Sequence, residues 1–188
     1  MLLADGTMGQ MMEPVTLDEA PAEGCPKPWA LTGTKGERKP NIINSLALEP
    51  QELEDWNNVR FARYDEVKEK EQLCELYRCE DAEIAVVAFG IAARVSKNAV
   101  DAAREKGIKV GLVRPITLWP FPEKALKQVA AGVKRFISVE LNMGQMIEDV
   151  RLAIECSRPV DLCCRTGGMI PTPEEVIASI EKAAKEDK

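Results

Sequence analysis

Arginines, glycines and side-chain amides with the potential for chemistry gather in loops that each follow an apolar run. These loops are Phe89-Gly90, Arg114 to Pro122, Leu141 to Gln145 and Arg165 to Pro171. Arginine presents a planar fork of donors suited to carboxylate or phosphate, and glycine pairs let a backbone approach closely. Arg114, Asn142, Gln145, Arg165, Gly167 and Gly168 are therefore the candidate contact residues of one recognition surface, expected to meet a partner or an anionic ligand. Ordinary turn chemistry is the competing reading: prolines that start helices, with Trp119 and Phe121 covering the core. Asn142 to Gln145 has the spacing of a helix cap. Glu140, at the end of an apolar run, is read as an ion-pair partner of Arg114 or Arg165, with a perturbed acid as the alternative.

The chain contains no histidine. That removes the commonest general base and every Ser-His or Cys-His nucleophile pair. Cys25, Cys74, Cys79, Cys156, Cys163 and Cys164 include no C-x-x-C pair. Cys74 and Cys79 lack the nearby ligands that an iron–sulfur cluster requires. Adjacent Cys163 and Cys164 point to opposite faces if they lie on a strand, so the cysteines read as reduced structural thiols. The turn Gly90-Ile91-Ala92-Ala93-Arg94 lacks the spacing of a dinucleotide fingerprint, and there is no Walker lysine motif. Gly6-Thr7-Met8-Gly9 is glycine-rich, but no complete strand precedes it and no helical pattern follows. No catalytic residue and no metal ligand is assigned.

The elements that must position the candidate residues are legible from Ala82 onward. Ile84 to Phe89 is a continuous apolar run closed by Gly90, as expected of a strand buried on both faces. Ile108–Val113, Phe136–Val139 and Val160–Cys164 read as the next three strands. Helical stripes separate them: Val95, Ala99, Ala102 and Ala103; Leu126 and Val129 behind Pro122; Met146, Ile147, Val150 and Ile154. Thr172, Pro173 and Glu175 form a capping box for a last helix carrying Val176, Ile177 and Ile180. Alternating strands and helices with short connections require a parallel sheet. The fold class is thus α/β, a doubly wound parallel sheet, over residues 80–188. Residues 51–79 read as a connecting helix broken near Lys70, with Leu73, Leu76 and Tyr77 resuming its apolar spacing. Residues 1–50, interrupted by Pro14, Pro21, Pro26, Pro28, Pro40 and Pro50, read as an extended segment. It is expected to be ordered by another chain, or disordered in a monomer, with Met1–Ala4 as a strand detached from a larger sheet.

Composition narrows the partners. The formal net charge is -6, from 31 acidic against 25 basic side chains, which disfavours nucleic acid. No apolar run approaches the ~20 residues of a membrane helix, and Asp5 interrupts any h-region after Met1-Leu2-Leu3-Ala4. A cytoplasmic location is expected.

Taken as a set, the motifs resemble the alpha-type subunits of 2-oxoacid:ferredoxin oxidoreductases, and most closely the branched-chain (ketoisovalerate) type. The residues that carry the resemblance are Ala4 to Pro14, Lys27-Pro28-Trp29-Ala30, Gly111 to Pro122, Asn142 to Met146 with Glu148-Asp149-Val150-Arg151, and Arg165-Thr166-Gly167-Gly168. The resemblance implies a transketolase C-terminal-like domain after a remnant of a pyrimidine-binding domain. It implies a whole complex that uses thiamine diphosphate, Mg and iron–sulfur clusters to convert a 2-oxoacid to acyl-CoA while reducing ferredoxin. The implied partners are thiamine-binding beta-type, gamma-type and ferredoxin-like subunits, with coenzyme A as a further contact. This chain alone is expected to bind no cofactor and to be inactive. The family's acidic contact to the aminopyrimidine has no counterpart here, and Cys163-Cys164 departs from the aromatic-plus-small pair usual at that place. Two other readings stand beside it: a purely structural assembly module, and a C-terminal domain of the transketolase or 2-oxoacid dehydrogenase E1 type.

Overall fold

The computed structural model describes residues 1–4, 6–12, 14, 16, 24 and 26–186. Asp5, Glu13, Pro21 and Cys25, which entered the sequence reading, lie outside the described residues. The chain divides into two compact units, Met1–Met11 with Tyr64–Lys188, and Met12–Arg63.

In the larger unit five strands form one sheet in the order β1-β3-β2-β4-β5. They are β1 (Cys74–Tyr77), β2 (Ile84–Val87), β3 (Val110–Pro115), β4 (Arg135–Glu140) and β5 (Val160–Cys164). β2 pairs in parallel with both β3 and β4, and β4 pairs in parallel with β5. Every residue of β2 is buried, because helices cover both faces of the sheet. α3 (Gly90–Glu105) and α6 (Pro173–Glu186) pack on the face bearing Ile84, Val86, Leu112, Ile137 and Val139. α4 (Glu123–Ala130) and α5 (Met146–Ala153) pack on the face bearing Ala85, Val87, Val113 and Phe136. The doubly wound α/β class read from the sequence is the class observed.

Local signals set the helix ends. Gly107 holds φ +82 and donates to the Arg104 carbonyl at 2.9 Å, ending α3 with a left-handed residue. The capping box at α6 forms reciprocally: Thr172 N–H donates to Glu175 at 2.9 Å, and Glu175 N–H to Thr172 Oγ1 at 3.3 Å.

Three expectations are corrected. Leu73 to Tyr77 does not resume a helix. α2 (Pro50–Lys70) ends at Lys70, and Cys74–Tyr77 is the edge strand β1, antiparallel to β3. Four residues carry too little periodicity to separate helix from strand; the open edge of β3 decides, with Arg114 opposite Glu75. Gly6-Thr7-Met8-Gly9, which reads as a glycine-rich loop, lies within the five-residue helix α1 (Gly6–Gln10). Met1–Ala4 is not a strand.

Residues 12–63 form the smaller unit. Arg38 donates to the carbonyls of Ala30 and Gly33, and Asn41 Nδ2 to those of Pro28 and Ala30, so side chains organise a segment without sheet pairing. Trp29, Leu31, Ile42, Ile43, Leu46 and Leu48 are exposed. α2 buries none of its residues.

Candidate functional site

Because β2, β3, β4 and β5 are mutually parallel, the loops after them all leave one edge of the sheet. The candidate residues stand there, divided between the two faces. Arg114 shares the parity of Leu112 on β3, and Arg165 follows Cys163 at the same parity, so both arginines belong to the α3/α6 face. β3 and β5 are three spacings apart in the strand order, or about 14 Å. The arginines therefore occupy opposite flanks of the edge and cannot close as one clamp on a small anion.

Each arginine is partly neutralised. Arg114 Nη1 lies 2.8 Å from Glu75, whose carboxyl is held below its ordinary pKa chiefly by that hydrogen bond. Arg165 Nη1 lies 3.1 Å from Glu175. Arg165 Nε is buried and meets no acceptor among the described residues, which leaves part of its fork unused. Gly167 and Gly168 follow with φ +66 and +86, and an added Cβ would meet nothing within 4 Å. This is an open turn in a backbone conformation that favours glycine.

Over the other face, Glu140 organises the edge. It is 2% exposed, and the expected ion pair with Arg114 or Arg165 does not form. Instead its carboxylate accepts from Gln145 N–H (2.9 Å), Met146 N–H (2.8 Å), Ile147 N–H (2.9 Å) and Ser138 Oγ (2.8 Å). Glu140 thus caps α5 from the end of β4, where its charge also meets the positive end of the helix dipole. Burial alone would raise its pKa; the N–H groups of Gln145 and Met146, the Ser138 hydroxyl and the Ile147 N–H outweigh it and hold the carboxyl below its ordinary value.

The cap expected of Asn142 to Gln145 is accordingly corrected. Gln145 occupies the N-cap without a side-chain bond, and Asn142 Oδ1 accepts from Gly144 N–H at 2.8 Å within the loop. Asn142 and Gln145 do come together, lining with Glu140, Phe89, Leu118 and Phe121 a cavity of about 120 Å³. Sequence reasoning missed the role of Glu140. The available signal was an acid closing the run Phe136-Ile137-Ser138-Val139, with Gly144-Gln145 rather than a Ser, Thr, Asp or Asn immediately before the following helix.

Trp119 is more than half exposed and meets Tyr64 edge-on, with ring centroids 5.4 Å apart, whereas Phe121 packs against the core. The described cysteines are all free. Burial, and then the neighbouring Cys79, pushes Cys74 up to about 11. Burial, and then Glu80, pushes Cys79 up to about 11. Neither is a ready nucleophile. Among the described residues no three His, Cys, Asp or Glu side chains gather to hold a metal ion, and no helix is long and apolar enough to cross a membrane.

This architecture is that of the transketolase C-terminal-like α/β domains. A split-gene transketolase, described as an inactive beta4 tetramer, shares it at a TM-score of 0.51, with 20% identity over 58% of this chain and 40% of its own. The 2-oxoglutarate:ferredoxin oxidoreductase from Magnetococcus marinus, solved with 2-oxoglutarate, coenzyme A and succinyl-CoA bound, shares it at 0.60, with 22% identity over 72% of this chain and 24% of its own. At these identities the likeness concerns the fold. The pyruvate:ferredoxin oxidoreductase core domain II family matches residues 82–176, and the chain belongs to that family.

Relatives at higher identity bear this out. The chain is 44% identical over 186 residues to ketoisovalerate oxidoreductase subunit VorB of Methanothermobacter marburgensis, covering 98% of this chain and 52% of that subunit. It is 34% identical over 101 residues to 2-oxoglutarate synthase subunit KorA of the same organism, covering 54% of this chain and 27% of that subunit. The chain spans about half the length of the ketoisovalerate oxidoreductase subunits it matches.

Proposed function

We propose that this chain works as the C-terminal part of an alpha-type subunit of a thiamine-diphosphate-dependent 2-oxoacid:ferredoxin oxidoreductase. The reaction is the oxidative decarboxylation of a branched-chain 2-oxoacid to its acyl-CoA, with electrons passed to ferredoxin. The observation that carries this reading is the 44% identity to a ketoisovalerate oxidoreductase subunit, sustained along 98% of the chain.

The described residues do not fit the family's iron–sulfur clusters or Mg: they offer neither a thiolate cluster nor a carboxylate set for a metal ion. In this proposal thiamine diphosphate, Mg and the iron–sulfur clusters are held elsewhere in the complex, by thiamine-binding beta-type, gamma-type and ferredoxin-like subunits. The part left to this chain is positional. Its carboxyl edge meets a partner subunit, and Arg165, with the open Gly167-Gly168 turn beside it, contacts coenzyme A. The unused Nε of Arg165 supports this, because a buried donor without an acceptor is a place for an incoming phosphate or carboxylate.

Replacing Arg165 by alanine in the assembled enzyme tests the role. The expected result is weaker subunit association, or a KM for coenzyme A raised about tenfold, the loss of one charge-assisted contact, while the thermal midpoint of the chain changes little. A variant that assembles and turns over coenzyme A as wild type does would remove the role.

A further inference from the structure

The strand order ends on β5, so one side of that strand has no neighbouring strand among the described residues. The ladder with β4 decides which groups face that side. Phe136 N–H donates to the Pro159 carbonyl, and Arg165 N–H to the Glu140 carbonyl. A parallel ladder uses every second residue of each strand. Asp161 and Cys163 therefore turn their backbone groups toward β4, whereas Val160, Leu162 and Cys164 turn theirs outward. Arg151 Nη2 covers the Val160 carbonyl at 3.1 Å. The N–H and C=O groups of Leu162 and Cys164 meet no partner among the described residues. Such an edge is a template for a further strand.

The side chains of β5 select which strand. Asp161 and Arg165 share the parity of Cys163, on the α3/α6 face. Both are partly exposed, although each already holds a neighbour: Asp161 lies 2.8 Å from Arg135, and Arg165 lies 3.1 Å from Glu175. Leu162, on the other face, is 38% exposed. A second β5 laid antiparallel about a two-fold axis at Cys163 sets Asp161 opposite Arg165 of the second copy, and by symmetry the reverse. The same register places Leu162 opposite Cys164 of the second copy. It satisfies the outward N–H and C=O groups of both residues and covers the Leu162 side chain. An axis at Asp161 or at Arg165 would instead set like charges face to face, which is destabilising. An axis at Leu162 would leave both charges without an opposite. The placement of Asp161 and Arg165 at equal distances on either side of Cys163 makes this edge complementary to itself.

We propose that β5 is a self-association edge, across which two copies of this chain pair antiparallel into one continuous sheet with reciprocal Asp161–Arg165 contacts. The inference goes beyond the oxidoreductase reading and does not rest on it. Sedimentation equilibrium of the chain should show a reversible dimer, with a Kd on the order of 100 µM for so short an interface. Asp161→Arg alone, or Arg165→Asp alone, should weaken association at least about tenfold by juxtaposing like charges. The two substitutions combined exchange the charges and should return association to within about threefold of wild type. A merely structural role of either side chain would give no such rescue. Amide hydrogen exchange needs no variant. Raising the wild-type concentration through the Kd should protect the Leu162 and Cys164 amides, while those of Asp161 and Cys163, already bonded to β4, stay unchanged. A chain that remains monomeric at about 1 mM, a dimer whose protection lies away from Leu162 and Cys164, or a folded charge-exchanged chain that does not recover association would each overturn the proposal.

Discussion

Replacing Glu140 by alanine should destabilise the α/β unit by about 3–4 kcal/mol, because the carboxylate accepts three backbone N–H bonds and a buried hydroxyl at once. The substitution removes more than one interaction. It leaves the N–H groups of Met146 and Ile147, both buried, without an acceptor, and it takes a negative charge from the positive end of α5. For a unit of this size the thermal midpoint should fall by roughly 10–15 °C. Glu140→Gln retains one acceptor oxygen and should lose less than half as much. The pH dependence follows from the sign of the shift. The folded pKa lies below the ordinary carboxylate value, so the stabilisation is fully present above the unfolded pKa and is lost as pH falls through the folded one. Thermal melts of wild type and Glu140→Gln should therefore converge towards acid pH. A constant gap between them down to strongly acid pH would contradict the assignment.

Gly111→Ala should cost about 2–4 kcal/mol, a large effect for one methyl group. A Cβ built at Gly111 would lie 2.7 Å from the Arg78 carbonyl oxygen and 2.8 Å from Cys79 Sγ. The thiol can rotate away; the carbonyl cannot, since it accepts from Arg104 Nη2 at 2.7 Å, and Arg104 also holds Asp81 and the Val110 carbonyl. Relief of the clash therefore requires the end of β1 to move. Denaturant unfolding of Gly111→Ala reads the effect directly. A midpoint equal to wild type would show that the Arg78–Arg104 contact does not fix the edge strand.

The two substitutions also mark what was legible in the sequence. β2 to α6 could be read because Ile84–Phe89 and Phe136–Val139 are largely apolar runs of strand length, each followed by a helical stripe, with glycine or proline between the elements. β1 could not be read: it is four residues long, and its conformation is set by pairing with β3, nearly forty residues away along the chain. The cap on α5 was hidden for a related reason. Its acceptor lies five to seven residues before the donors, across a loop, outside the three-residue spacing by which caps are recognised. The arginines were placed on the right edge by strand polarity. Their separation depended on the strand order β1-β3-β2-β4-β5, which no local pattern encodes.

Purification of the native complex shows whether this chain acts within a branched-chain 2-oxoacid oxidoreductase. The protein carrying this chain is tagged in its source organism, the complex that copurifies is collected, and ferredoxin reduction is assayed with 3-methyl-2-oxobutanoate, pyruvate and 2-oxoglutarate, with and without coenzyme A. Membership in that enzyme requires coenzyme A-dependent reduction, fastest with the branched substrate, by a complex containing thiamine diphosphate. Neither turnover nor micromolar thiamine diphosphate binding is expected of residues 1–188 alone under this assignment. Turnover by the isolated chain, or a copurifying complex that oxidises none of the three 2-oxoacids, would contradict it.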